Sequence, residues 1–146
     1  MRITSHTLKT LPEFYRLQIE SAAMSEPVCS SEHDHQVALF DWAERNERKY
    51  PELRWMYAIP NGGHRSKKTA VELKREGVKS GVSDVHLPVS RGQYHGLYIE
   101  MKYGKNKMSE NQKDFKTFAE EEGHFFKLAY TWQEAVSAVE YYLTSI

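Results

Sequence analysis

Residues 84–102 read DVHLPVSRGQYHGLYIEMK, and two alternating runs stand out in them. Val85, Leu87 and Val89 alternate with Asp84, His86 and Pro88, while Leu97, Ile99 and Met101 alternate with Gly96, Tyr98, Glu100 and Lys102. Successive side chains of a strand point to opposite faces, so each run has an apolar side and a polar side. Ser90-Arg91-Gly92-Gln93 supplies a glycine-containing turn between them, and the pair reads as a β-hairpin. Pairing the strands with their apolar sides aligned puts Asp84, Glu100 and Lys102 on one surface.

The flanking sequence supplies helices. Ser31 can cap a helix that runs to about Lys49, with Val37, Phe40 and Ala43 spaced for an inward face, and Pro51 stops it. Arg54–Ile59 reads as a short strand ended by Pro60-Asn61-Gly62-Gly63, and a basic helix follows from Ser66 to Glu76, closed by Gly77. Beyond the hairpin, Ser109 starts a helix with Phe115, Phe118 and Ala119 facing inward, ended by Gly123. Phe125–Tyr130 is a strand, and Thr131 with Glu134 forms a capping box for a last helix bearing Val136, Val139 and Leu143. The order helix, strand, helix, strand, strand, helix, strand, helix predicts an α/β fold, a mixed central sheet flanked by helices. Residues 1–30 are the least regular part and form an N-terminal arm or a short helix around Glu13–Ala22. Residues 31–146 make the domain.

Composition narrows the function classes. A chain of 146 residues with 40% hydrophobic content has the make-up of one soluble domain. It has no apolar run long enough for a membrane span and no signal-peptide-like start, so a cytoplasmic protein without membrane association is expected. Cys29 is the single cysteine, which excludes an internal disulfide and a cysteine-based zinc cage. There is no HExxH, and no glycine-rich phosphate loop, so zinc-protease and NTPase chemistry are excluded too. The net charge of zero conceals segregation: residues 51–109 hold eleven Lys/Arg against five Asp/Glu, between acidic ends. A basic middle is either a solvated face or a phosphate-reading surface.

Two carboxylates beside an ammonium suit phosphodiester hydrolysis. Mg²⁺ takes oxygen ligands and keeps several waters, so Asp84, Glu100 and the backbone carbonyl of Met101 suffice to hold it, or Mn²⁺. Lys102 would then orient the attacking water or neutralise phosphate charge. A plain salt bridge between Glu100 and Lys102 on an exposed strand face accounts for the same pair without chemistry. Lys67, Lys68 and Lys79 are candidates for phosphate contacts, with Arg65 before them and Lys105 and Lys107 extending the surface beyond Glu100. Gln112 has a capping role through Ser109-Glu110-Asn111-Gln112, and its spacing with Phe115 and Ala119 also turns it inward, toward the site. Glu32 sits in a first helical turn, where the dipole favours a carboxylate in any case. His33 and His35 are two apart on a helix and cannot ligate jointly, and His86 reads as a structural residue on the polar face of its strand.

Asp84 followed by Glu100-Met101-Lys102 resembles the core of the PD-(D/E)XK nuclease superfamily. Within it, residues 32–143 resemble the virus-type replication-repair nuclease (VRR-NUC) domain. The matching stretches are Glu32 with Gln36, Pro60-Asn61-Gly62-Gly63 with Arg65, Gly77-Val78-Lys79-Ser80-Gly81-Val82-Ser83-Asp84, Glu100-Met101-Lys102 and Ser109-Glu110-Asn111-Gln112. Ser83 departs from the proline usual before the family's aspartate, a position that shapes backbone and carries no chemistry. The resemblance implies a restriction-endonuclease-like core and a divalent-metal-dependent, structure-specific DNA endonuclease. Asp84, Glu100, Lys102 and Gln112 would be its catalytic residues, Glu32 an additional candidate metal ligand, and Asn61 and Arg65 nucleic-acid contacts. It also implies branched or flapped DNA as substrate, four-way (Holliday) junctions among them, and a homodimer, with no small-molecule cofactor beyond the metal. A nuclease that cuts or nicks plain duplex stays open at this point. So does a non-catalytic nucleic-acid-binding module.

Overall fold

A computed structural model of the chain describes residues 26–60 and 66–146. The arm or helix expected within residues 1–25, and the turn and contacts expected of Asn61–Arg65, lie outside the described residues. Helix α1 spans Glu32–Asn46, and Ser31 caps it by accepting from the Asp34 N–H. A 3-10 turn at Pro51–Trp55 leads into β1, Tyr57–Ala58, and helix α2 covers Lys67–Arg75. The hairpin follows as β2, Val85–Leu87, and β3, Leu97–Met101. Helix α3 is Glu110–Glu121, β4 is Phe125–Ala129 and α4 is Trp132–Thr144.

The four strands form one mixed sheet in the order β1-β2-β3-β4, antiparallel except for the parallel β3–β4 pair. In the hairpin Val85 faces Ile99 and Leu87 faces Leu97, the register that aligns the apolar sides. Those residues, with Met101 and Ala129, are buried against Leu39 and Ala43 of α1 and Ala135, Val136, Val139 and Tyr142 of α4. The opposite face carries Glu100 and Tyr98, met by Gln112 and Phe115 of α3. Helices therefore lie on both faces, as an α/β fold requires.

Three local expectations are corrected. The strand expected from Arg54 begins only at Tyr57, because Pro51 favours a helical start and the 3-10 turn buries Leu53 in the core. In α1 the inward face is His35, Ala38, Leu39 and Ala43, and Val37 is exposed. In α3 Ala119 is buried but Phe118 faces solvent, since the helix presents a narrow stripe to the edge of the sheet. Helix α2 has no buried residue at all. Its N-cap Ser66, basic last turn and Val78 N–H to Leu73 O bond hold it as a helix without help from the core.

Candidate active site

The polar side of the hairpin brings two carboxylates together through the backbone. Asp84 immediately precedes β2, and its Oδ2 accepts the Met101 N–H at 2.8 Å, so the side chain replaces a ladder bond where the strands diverge. The N–H and C=O of a strand residue leave on the same side. The Met101 carbonyl is therefore directed toward Asp84, while the next N–H, of Lys102, bonds Ala129 O across the sheet. Glu100 and Lys102, two apart, share the Asp84 face, and the Lys102 Nζ lies 3.6 Å from Glu100 Oε1.

Burial sets the character of that pair. The Glu100 side chain is 1% exposed and that of Lys102 12%, so this is not a solvent-exposed salt bridge. Glu100 Oε1 also accepts from Gln112 Nε2 at 2.7 Å, but Oε2 is buried with no hydrogen-bond partner. An orphaned carboxylate oxygen in the interior carries a desolvation cost that its neighbours do not offset. Burial, and secondarily the negative field of Asp84, push the Glu100 carboxyl up to about 8. Asp84 is raised by burial too, against the pull of the Met101 N–H and Lys102. Without a cation, the Glu100 carboxyl keeps its proton near neutrality.

Glu32 opens α1 beside this cluster. Its carboxyl is raised first by burial and then by Asp84, while Lys102 opposes the shift. Among the described residues no three His, Cys, Asp or Glu side chains converge as a cation cage, so Glu32 is near the Asp84–Glu100 pair without joining it closely. Lys67, Lys68, Lys79 and Lys105 are all exposed. His35 is buried and its Nδ1 accepts the Trp132 N–H, a structural role. His86 bonds Tyr57 and stacks on Tyr98.

Alternation and charge in the sequence do not single out the loop that delivers Asp84. Gly81 has φ +90°, and a Cβ built there would lie 2.5 Å from the Asn111 carbonyl oxygen. Asn111 Nδ2 also donates to Ser80 Oγ at 3.1 Å. The loop thus lies directly on the first turn of α3, the turn that supplies Gln112. Ser83, between Gly81 and Asp84, is fully buried and its hydroxyl has no partner. The Gly-x-x-Asp spacing was the visible signal, and nothing in it names Asn111 as the contact.

The family model for the VRR-NUC domain matches residues 30–132, the span that holds every one of these side chains. The chain belongs to the VRR-NUC domain family. This is a nuclease family, so a nucleic acid is the substrate class. A solved structure described as a VRR_NUC domain protein is similar, with TM-score 0.66 and 28% identity, covering 78% of this chain and 88% of that one. No curated protein matches. Among the described residues no helix of this VRR-NUC domain is long and apolar enough to cross a membrane.

Proposed function

We propose that this VRR-NUC domain is a divalent-metal-dependent endonuclease that hydrolyses DNA phosphodiesters. The observation that carries the reading is the buried Glu100 carboxylate, paired with half-buried Asp84 and carrying an orphaned oxygen beside Lys102. Two neighbouring carboxylates that keep a proton rather than both ionise are what a divalent cation, taking the proton's place, would let ionise together, and the all-oxygen donor set suits Mg²⁺ or Mn²⁺. Asp84, Glu100 and the Met101 carbonyl would hold the ion, and Glu32 at the start of α1 is a further candidate ligand. Bound there, it supplies a lowered water pKa and compensates phosphate charge. Lys102 orients the water for attack on phosphorus, in line with the departing sugar oxygen, and its ammonium neutralises a non-bridging oxygen. Gln112 fixes the Glu100 carboxylate in one rotamer. The exposed lysines of α2, with Lys79 and Lys105, contact phosphates without reading sequence.

Branched or flapped DNA, including four-way junctions, is the substrate the family likeness favours, and a homodimer would set two sites for paired cuts. The test is cleavage of labelled junction, flap and duplex DNA with Mg²⁺, Mn²⁺ or chelator, by wild type and Lys102→Ala. Metal-dependent cutting that Lys102→Ala loses while its melting temperature holds supports the reading, and the ranking of DNAs names the substrate. No cutting under any metal would sink it in favour of a binding module. Cutting of plain duplex alone would replace branched DNA with a duplex-cutting or nicking activity.

A further inference from the structure

The face that carries Asp84 and Glu100 does not end with them. His86 is two residues from Asp84 and Tyr98 two from Glu100, so both project from that same face about 7 Å along the strands. Their rings stack at 4.3 Å and 11°. Tyr57 sits directly opposite His86 across the β1–β2 pairing, its hydroxyl 2.7 Å from His86 Nδ1 and its ring edge-on to the imidazole. Helix α3 covers Tyr98 through Phe115 but stops short of β1, where both residues are exposed. Tyr57 is 48% exposed, and Trp55, across buried Met56, is 63% exposed with the Arg54 guanidinium over its ring. An open tyrosine ring on a two-residue edge strand and an open tryptophan ring at the end of the 3-10 turn before it contribute nothing to the core.

We propose that Tyr57, held by His86, is a stacking position for an unpaired nucleobase of the DNA strand that enters the Asp84–Glu100 site. This rests on the nuclease reading for the path of the strand. An offset of about 7 Å matches roughly two nucleotides of axial rise, so the base is a near neighbour of the scissile phosphate. Aromatic rings accept any base face, and Arg54 on Trp55 adds a cation beside the platform. A paired base presents its edge and not its face to such a ring. The surface therefore selects DNA with unpaired nucleotides beside the cut, the feature that separates flaps and splayed junctions from continuous duplex. His86 is a positioning residue, acting through the Tyr57 ring.

The test is run in chelator, where binding is separated from cleavage. A fluorescein-labelled single strand and a blunt duplex of the same sequence are titrated with wild type, Tyr57→Ala and Tyr57→Phe. A parallel single strand carries 2-aminopurine, whose emission falls on stacking. Tyr57→Ala is expected to weaken single-strand binding about ten-fold and duplex binding less than about two-fold. Tyr57→Phe, which keeps the ring, stays within about three-fold on both DNAs and retains the quench. Unchanged single-strand binding in Tyr57→Ala, an equal loss on both DNAs, or no quench with wild type overturns the proposal. Each of those results leaves metal-dependent cleavage standing. Conversely, a wild type that shows this selectivity but cuts nothing keeps the stacking position and discards the nuclease reading.

Discussion

Gln112 holds Glu100 with one end of its amide and its own helix with the other. Its Nε2 donates to Glu100 Oε1 at 2.7 Å, and its Oε1 accepts the Ser109 N–H at 2.8 Å. Because a backbone donor claims the oxygen, the nitrogen has to face Glu100, so the capping box sets the orientation of the amide. The two roles open to Gln112 in the sequence are one arrangement.

Gln112→Ala is expected to cost about 1 kcal/mol of stability, for the lost cap bond and the lost partner of a buried carboxylate. Nuclease activity should fall roughly 10- to 100-fold, since Glu100 loses the contact that fixes its rotamer. Gln112→Glu keeps an acceptor for Ser109 but sets a third carboxylate against Glu100. Its activity should drop further than that of Gln112→Ala while its cap survives. Chemical denaturation and initial cleavage rates check both, and equal activity in the two variants would refute the positional role of the amide.

Gly81 and Gly77 separate backbone strain from steric conflict. Both have positive φ, +90° and +101°, yet an added Cβ meets the Asn111 backbone at Gly81 and nothing within 4 Å at Gly77. Gly77→Ala should cost only the conformational term, about 1 kcal/mol, with activity near wild type. Gly81→Ala should cost about 2–4 kcal/mol, because the loop and the first turn of α3 must separate. That separation moves Asp84 relative to Gln112, so activity falls as well. Melting temperatures and cleavage rates of the pair decide, and matching costs would show that the loop–helix contact is slack.

The hairpin and its register were legible because a two-residue period with one buried face permits a single alignment. Ser31, Ser109 and Thr131 marked helix starts for a similarly local reason: each side chain accepts from the N–H three residues on. Faces of helices were less legible. Val37 and Phe118 are exposed because the sheet is narrow and takes only a stripe of each helix, which depends on crossing geometry that periodicity does not contain. The composition of the Asp84–Glu100–Lys102 group was readable, but its depth was not. A polar strand face reads as solvent-exposed until α3 is known to lie on it, and that packing turns a surface ion pair into a buried one. The Tyr57–His86–Tyr98 row was hidden for the same reason, being a cross-strand relation among three separate segments.

Ser83 offers a test that does not touch the chemistry. Its hydroxyl is fully buried with no partner, at the position where the family commonly has a proline. Removing an orphaned buried hydroxyl abolishes its desolvation penalty and leaves a void of only one atom. Ser83→Ala is expected to stabilise the domain by about 0.5–1 kcal/mol with unchanged cleavage. Denaturant midpoints at a constant m-value provide the measurement. A loss of more than about 1 kcal/mol would show that the hydroxyl is hydrogen-bonded in solution.

The raised carboxyl of Glu100 makes stability fall as pH rises. Its ordinary value is 4.5 and burial with Asp84 lifts it to about 8, so between these values the folded protein keeps a proton that the unfolded chain has released. The stabilisation is therefore fully present below 4.5 and is lost as pH climbs through 8. Asp84 and Glu32, both raised, act with the same sign. In chelator, the melting temperature should decline steadily from about pH 5 to about pH 8.5. A divalent cation competes with the retained proton, so the increase in melting temperature produced by Mg²⁺ should be larger at about pH 8 than at about pH 5.5. Glu100→Gln keeps an acceptor for Gln112 and removes the charge. It should flatten the pH dependence, stabilise the metal-free protein at about pH 8 by roughly 1–3 kcal/mol, and abolish cleavage. A Glu100→Gln protein with the pH slope and Mg²⁺ response of wild type would place both the proton and the cation elsewhere.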